Sequence, residues 1–235
     1  MSIADNVRQV KEKIATAALA CGRSPEDIIL VGATKMNDAA RVREAVEAGL
    51  RYCGENRVQE LTEKNAQGAY EGSHLHFIGH LQKNKVKQVV GTAELIHSVD
   101  SVELAEAINR RAGALGIVQD ILLEVNIGGE ASKSGFTPGE LRPAIDSIST
   151  MENLRVCGLM AIPPVCEAPE ENRHYFSEMR KLYIDISEEK KYNNVIMGIL
   201  SMGMSADYEV AISEGASMVR VGTGIFGARN YGTAK

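Results

Sequence analysis

The chain has 235 residues, 44% of them hydrophobic and 24% charged, enough for one large domain with a sizeable core or for two small ones. A formal net charge of -5 argues against a general nucleic-acid or anionic-membrane surface, so any anion site must be local. The four cysteines, Cys21, Cys53, Cys157 and Cys166, form no CxxC pair and no zinc-ligand spacing, and they read as reduced thiols.

The first twenty residues mix acids and bases, and Ile3, Val7, Val10 and Ile14 mark one side of an amphipathic helix. That pattern is neither a signal peptide nor a membrane span, and no later apolar run reaches the length needed to cross a bilayer. A soluble, cytoplasmic protein is expected. Beyond the turn Cys21-Gly22-Arg23-Ser24-Pro25, strand-like and helix-like runs alternate. Strands are expected at 28–34, 52–54, 75–79, 95–99, 120–126, 156–161, 195–200 and 218–221, with amphipathic helices at 38–48, 58–65, 84–90, 101–114, 138–151, 170–188 and 205–214. This is the βαβα signature of a parallel sheet in the α/β class. Roughly eight strands fit a single (βα)8 TIM barrel with an extra amino-terminal helix, occupying residues 1–235 as one domain. A doubly wound open sheet is the alternative, because periodicity does not reveal closure. The stretches 128–135 and 163–169 read as soft loops after strands, on the face where barrels carry their sites.

In a barrel the strand ends converge on one mouth, which gathers Lys35, Asn56, His80, Asn126, Ser201 and Arg220. Lys35 ends a near-continuous apolar run, and Ile29, Val31, Ala33 and Lys35 share one strand face, as do Met218, Arg220 and Gly222. A strand-end lysine is either a snorkelling surface residue or a desolvated amine suited to a Schiff base. The stretch Val219-Arg220-Val221-Gly222-Thr223-Gly224 is glycine-rich where backbone amides approach an anion, and Ser201 to Ser205 add a second loop of Ser, Gly and Ser. A phosphate cradle opposite an amine suggests pyridoxal 5'-phosphate (PLP), its aldehyde on Lys35. A permanently charged Arg220 beside the pyridine nitrogen would disfavour its protonation and leave the ring a weak electron sink. His74 and His76 share a face with His80 nearby, but no carboxylate completes a metal set, and no metal is expected. The basic run 82–87 has no interleaved aromatics and reads as a solvated helix face.

The blocks "VGATK", "GENRVQE", "HFIGHLQKNK", "IHSVDS", "LLEVNIGGEASKSGF", "GLMAIPP" and "LSMGMSADYEVAISEGASMVRVGTGIFGARN" run through nearly the whole chain. In them the sequence resembles the pyridoxal 5'-phosphate homeostasis proteins, the YggS/PROSC family. The resemblance implies a barrel like the amino-terminal domain of alanine racemase, of fold-type III, with PLP as a covalent imine on Lys35. It further implies Arg220 near the pyridine nitrogen, phosphate held by Ser201, Gly222, Thr223 and Gly224, and Asn56 beside the cofactor. The implied role is to bind and buffer PLP, supporting vitamin B6 and amino-acid balance, with PLP-dependent apoenzymes as recipients, a monomeric state and no dedicated catalytic turnover. The alternative is a PLP-dependent amino-acid racemase, which needs a second base opposite Lys35. The chain ends at Lys235, shortly after the phosphate loop, so no added β domain is expected to supply that base.

Overall fold

The computed structural model describes residues 2–189 and 192–227. Residues 228–230 of the last quoted block and the chain end at Lys235 lie outside the described residues. Eight parallel strands close a barrel in chain order: β1 (Ile29–Ala33), β2 (Tyr52–Glu55), β3 (His74–Phe77), β4 (Leu95–Val99), β5 (Gln119–Val125), β6 (Leu154–Ala161), β7 (Val195–Met204) and β8 (Met218–Val221). Pairing of β1 with β8, Ile29 opposite Met218 and Val31 opposite Arg220, completes the closure and removes the open-sheet alternative.

Strand alternation divides the apolar residues between two layers. Val31, Ala33, Ile78, Leu95, Leu122, Met160 and Met218 fill the barrel, so the face shared by Val31, Ala33 and Met218 points inward, as the parity reading requires. The opposite faces pack beneath the helices α1 (Ile3–Ala20), α2 (Ala39–Glu47), α3 (Val58–Ala66), α4 (Val86–Val89), α5 (Val102–Leu115), α6 (Pro138–Ile148), α7 (Arg173–Ser187) and α8 (Tyr208–Ser213). The extra helix α1 starts at a capping box, in which Ser2 accepts the Asp5 amide and Asp5 accepts the Ser2 amide. It buries Ile3, Val7, Val10, Ile14 and Ala18.

Three segments depart from expectation. The helix read at 84–90 is a 3-10 turn, Lys83–Lys85, followed by the single turn α4; Val86 and Val89 are buried while the intervening Lys87 stays exposed. The carboxyl-terminal glycine-rich stretch contains a one-turn helix, α9 (Thr223–Phe226), tied to α1 by a hydrogen bond of 2.8 Å from Asn6 Nδ2 to the Ile225 carbonyl. Most consequential for the site, β7 runs four residues past the expected end and takes in Ser201. The register between β7 and β8 shifts between Ser201 and Met204, and Gly203, at φ 90°, supplies the backbone conformation for that bulge.

The stretch 128–135 is tied down by its own hydrogen bonds. Asn126 donates through Nδ2 to the carbonyls of Glu130 (2.9 Å) and Lys133 (3.2 Å), and its amide meets the Phe136 carbonyl at 2.9 Å. Asn126 is thus a loop staple. Among the described residues no helix is long and apolar enough to cross a membrane, and no group of three His, Cys, Asp or Glu side chains is placed to hold a metal ion.

Candidate functional site at the barrel mouth

Lys35 lies two residues beyond β1, in a turn whose flanking residues are both anchored. Thr34 donates its hydroxyl to Glu55 Oε1 at 2.6 Å, and its carbonyl accepts from Lys64 Nζ at 2.9 Å. Lys64 Nζ also meets Glu55 Oε1 at 2.6 Å and Glu60 Oε2 at 2.9 Å. Glu60 in turn accepts the Met36 amide at 2.7 Å. Met36 has φ 61°, the left-handed region that a non-glycine residue occupies at a cost of about 1–3 kcal/mol unless its surroundings hold it there. The Glu55, Glu60 and Lys64 side chains therefore fix the backbone on both sides of the amine. Tyr70, which donates to Glu55 Oε1 at 3.1 Å, has its phenol pKa raised by burial and by that carboxylate.

Lys35 lines a cavity of about 270 Å³ together with Ala33, Asn37, Arg41, Gly222 and Thr223. Its far wall is the turn between β8 and α9. There Ser205 Oγ accepts the Gly222 amide at 3.1 Å and lies 3.5 Å from the Gly224 amide, so these groups converge on one small region. Asp207 Oδ1 accepts the Met204 amide at 2.7 Å, and Asn172 holds the other Asp207 oxygen at 2.8 Å, which fixes the turn presenting Ser205. Arg41 adds a guanidinium to the cavity wall while donating to Asn37 Oδ1 and to the Phe226 carbonyl. Amides, hydroxyls and one cation in a concave wall suit a phosphate group.

Ser201 does not join this cradle. It is fully buried, and its hydroxyl accepts from Arg220 Nη1 at 2.6 Å and lies 3.2 Å from His97 Nδ1. The bulge at Gly203 explains why: it breaks the alternation that would put Ser201 and Ser205 on one face. The serine whose hydroxyl meets the Gly222 amide is Ser205. Arg220 lies in the barrel interior with Nη2 on the Ala161 carbonyl at 2.9 Å, and burial lowers its pKa to about 10 against the opposing pull of Glu124 and Asp207.

Asn56 lies elsewhere on the mouth, on a cavity of about 220 Å³ that it shares with Ile78, His80, Glu124, Asn126 and Lys133. Its neighbour across the strands must be glycine, since a Cβ on Gly79 would come 2.1 Å from the Asn56 carbonyl oxygen. Asn56 Oδ1 is buried without a hydrogen-bond partner, the kind of atom that a ligand donor or a water satisfies. His80, predicted at the third strand end, faces Asp100 at 3.2 Å and Ser134 at 3.3 Å. A small aromatic phosphate fits these features: an amine, a phosphate cradle and an orphaned polar atom at one barrel mouth.

Ser205 lies in the stretch read as a second anion loop, whereas Glu124, Arg41 and the Glu55–Lys64 pair are not among the residues that the sequence predicts for the site. Glu124 had a detectable signal, an acid inside the apolar run from Ile121 to Val125. Its pKa is pushed up to about 7 by burial and by Asp100, with Arg220 and His80 opposing. A raised carboxyl pKa means that the folded protein keeps a proton the unfolded chain has already released, so stability falls as pH rises from about 4.5 to about 7 and stays lower above. Glu124→Gln is expected to be more stable than wild type at pH 8 by about 1–3 kcal/mol, discounted for partial exposure, with the difference vanishing near pH 4. Urea unfolding at both pH values checks this; a gap that is the same at both would refute it.

The chain matches the family model described as the alanine racemase N-terminal domain over residues 2–230. A pyridoxal phosphate homeostasis protein of Aquifex aeolicus is 43% identical over 231 residues, which cover 98% of this chain and all of that relative. A protein of the same description from Pseudomonas aeruginosa is 40% identical over 98% of this chain and 97% of its own length. Among solved structures, PipY of Synechococcus elongatus with PLP bound superposes with a TM-score of 0.79 at 34% identity, covering 93% of this chain and all of PipY. Matched by the family model over residues 2–230 and by these two relatives over 98% of its length, the chain belongs to the alanine racemase N-terminal-domain family and, within it, to the pyridoxal phosphate homeostasis proteins.

Proposed function

We propose that this protein binds PLP covalently through Lys35 and buffers it, supporting vitamin B6 and amino-acid homeostasis. The observation that carries the reading is the shared cavity of Lys35, Gly222 and Thr223, a primary amine in one small space with the glycine-rich turn after β8. The PLP-bound PipY structure and the names of the relatives support it. In this reading the Lys35 amine condenses with the aldehyde and releases water, a reversible step suited to storage. Ser205, Thr223 and the amides of Gly222 and Gly224 take the phosphate, with Arg41 supplying countercharge. Arg220 faces the pyridine nitrogen, and Asn56 lies beside the ring. Bound PLP is an electron sink, and Arg220 weakens it, in keeping with a carrier that does not turn substrate over. The protein works as a cytoplasmic monomer of one domain, and PLP-dependent apoenzymes receive the cofactor.

The test separates phosphate affinity from amine chemistry. Charge-assisted hydrogen bonds contribute about 1.5–3 kcal/mol each, so Ser205→Ala and Thr223→Val are each expected to weaken PLP binding by roughly tenfold to a hundredfold. Pyridoxal, which lacks the phosphate, should bind wild type and variants within about twofold of each other. Equal losses for both ligands, read by absorption titration, would show these residues to be structural and remove the cradle from the proposal.

A further inference from the structure

Two histidines inside the barrel have no place in the reading above. His97 on β4 is fully buried and His76 on β3 is 4% exposed. His97 Nε2 lies 3.0 Å from His76 Nδ1, and His97 Nδ1 lies 3.2 Å from Ser201 Oγ, the oxygen that also receives Arg220 Nη1. The acceptor available to the Ser201 proton sets the direction of this chain. Arginine can only donate, so Ser201 Oγ accepts from Arg220, and although the hydroxyl has a second lone pair, among the described residues its contacts give its own proton no acceptor other than His97 Nδ1. His97 Nδ1 is then an acceptor, its proton sits on Nε2, and Nε2 donates to His76 Nδ1. Both rings are thereby set as neutral Nε2–H tautomers in one line from β8 through β7 and β4 to β3.

We infer that His97 is a positioning residue for Arg220: by accepting the Ser201 proton it locks the Ser201 lone pairs onto the guanidinium and holds Arg220 in one orientation at the mouth. The inference rests on the reading that Arg220 faces the ring nitrogen of PLP. Surrounding charges agree with neutral rings. Burial, then His76 and then Arg220, push the His97 pKa well below its ordinary value, and burial with His74 lowers that of His76 to about 4. The acids that face Arg220, Glu124 and Asp207, hold its charge in place from β5 and from the turn after β7. A protonated His97 would donate to Ser201 Oγ beside Arg220 and leave the serine proton without its acceptor, so this direction of the line holds only while His97 is neutral.

Two measurements test this. In the PLP-free protein with 15N-labelled histidine, long-range imidazole spectra should show His97 and His76 as Nε2–H tautomers, unchanged between about pH 8 and about pH 5.5. An Nδ1–H tautomer at His97, or a titration there near its ordinary pKa, would overturn the chain. The second arm measures affinity for PLP and for 1-deazapyridoxal 5'-phosphate, which keeps aldehyde and phosphate but lacks the ring nitrogen. His97→Leu should weaken PLP binding by about threefold to tenfold, the loss of one net hydrogen bond. His97→Asn, which keeps an acceptor toward Ser201, should recover affinity to within about twofold of wild type. The deaza analogue should bind all three proteins alike. Parallel losses for both ligands would reduce His97 to a packing residue, and no PLP loss in His97→Leu would refute its positioning role. If His97→Leu fails to fold, the tautomers and His97→Asn decide. If wild type binds PLP but not through Lys35, the functional reading falls while the tautomer result keeps its meaning.

Discussion

Lys35→Ala is expected to abolish covalent capture of PLP: titration with the cofactor should give no imine absorption band, and borohydride treatment should leave no pyridoxyl group on the protein. Lys35 is the amine on the cavity that also carries Gly222 and Thr223, and alanine offers no nucleophile in its place. The phosphate cradle is untouched by the substitution, so weak, reversible binding should persist and should be competed by inorganic phosphate. Lys35→Arg sharpens the result, since it restores a positive charge and still forms no imine. A band of wild-type intensity in either variant would place the reactive amine elsewhere.

Lys64→Met should lower folding stability by about 3–5 kcal/mol, because it leaves the fully buried Glu55 carboxylate without its cation. Among the described residues the hydroxyls of Thr34 and Tyr70 would then serve Glu55 Oε1, and the Thr34 carbonyl would lose the Lys64 ammonium while keeping the Asn37 amide at 3.2 Å. The same change frees Glu60, which holds the left-handed Met36 turn next to Lys35. Urea unfolding should show the loss, and PLP affinity should fall with it because the amine is no longer held. Adding Glu55→Gln should return part of the stability, as the uncompensated charge is gone. A loss below about 1 kcal/mol in Lys64→Met would mean that the pair is not a structural element of the site.

The strands were legible where physics is local. β1 stands out because a strand covered on both faces needs an unbroken apolar run, and β4 and β8 keep their expected bounds to the residue. Lys35 and Arg220 stand out for a related reason, as charges at or in such runs, where a site competes with a snorkelling lysine and an internal ion pair. The end of β7 was misread because glycine and serine ordinarily signal a loop, whereas here Gly203 serves a bulge within a continuing strand. That one bulge turns Ser201 toward Arg220 and Ser205 toward the Gly222 amide, and no strand periodicity reveals it. The Glu55–Lys64 pair was hidden for another reason. Its members lie on β2 and α3, and only the fold shows that they meet beneath Lys35. Arg41 reads in sequence as one more charge on an amphipathic helix, and becomes part of the site only when α2 brings its first turn to the mouth.

The most direct test of the central claim is chemical. Wild-type protein incubated with PLP, reduced with borohydride and digested should yield a single dominant pyridoxyl peptide, with the modification on Lys35. A pyridoxyl group found instead on another lysine, with Lys35 unmodified, would contradict the site and the function built on it.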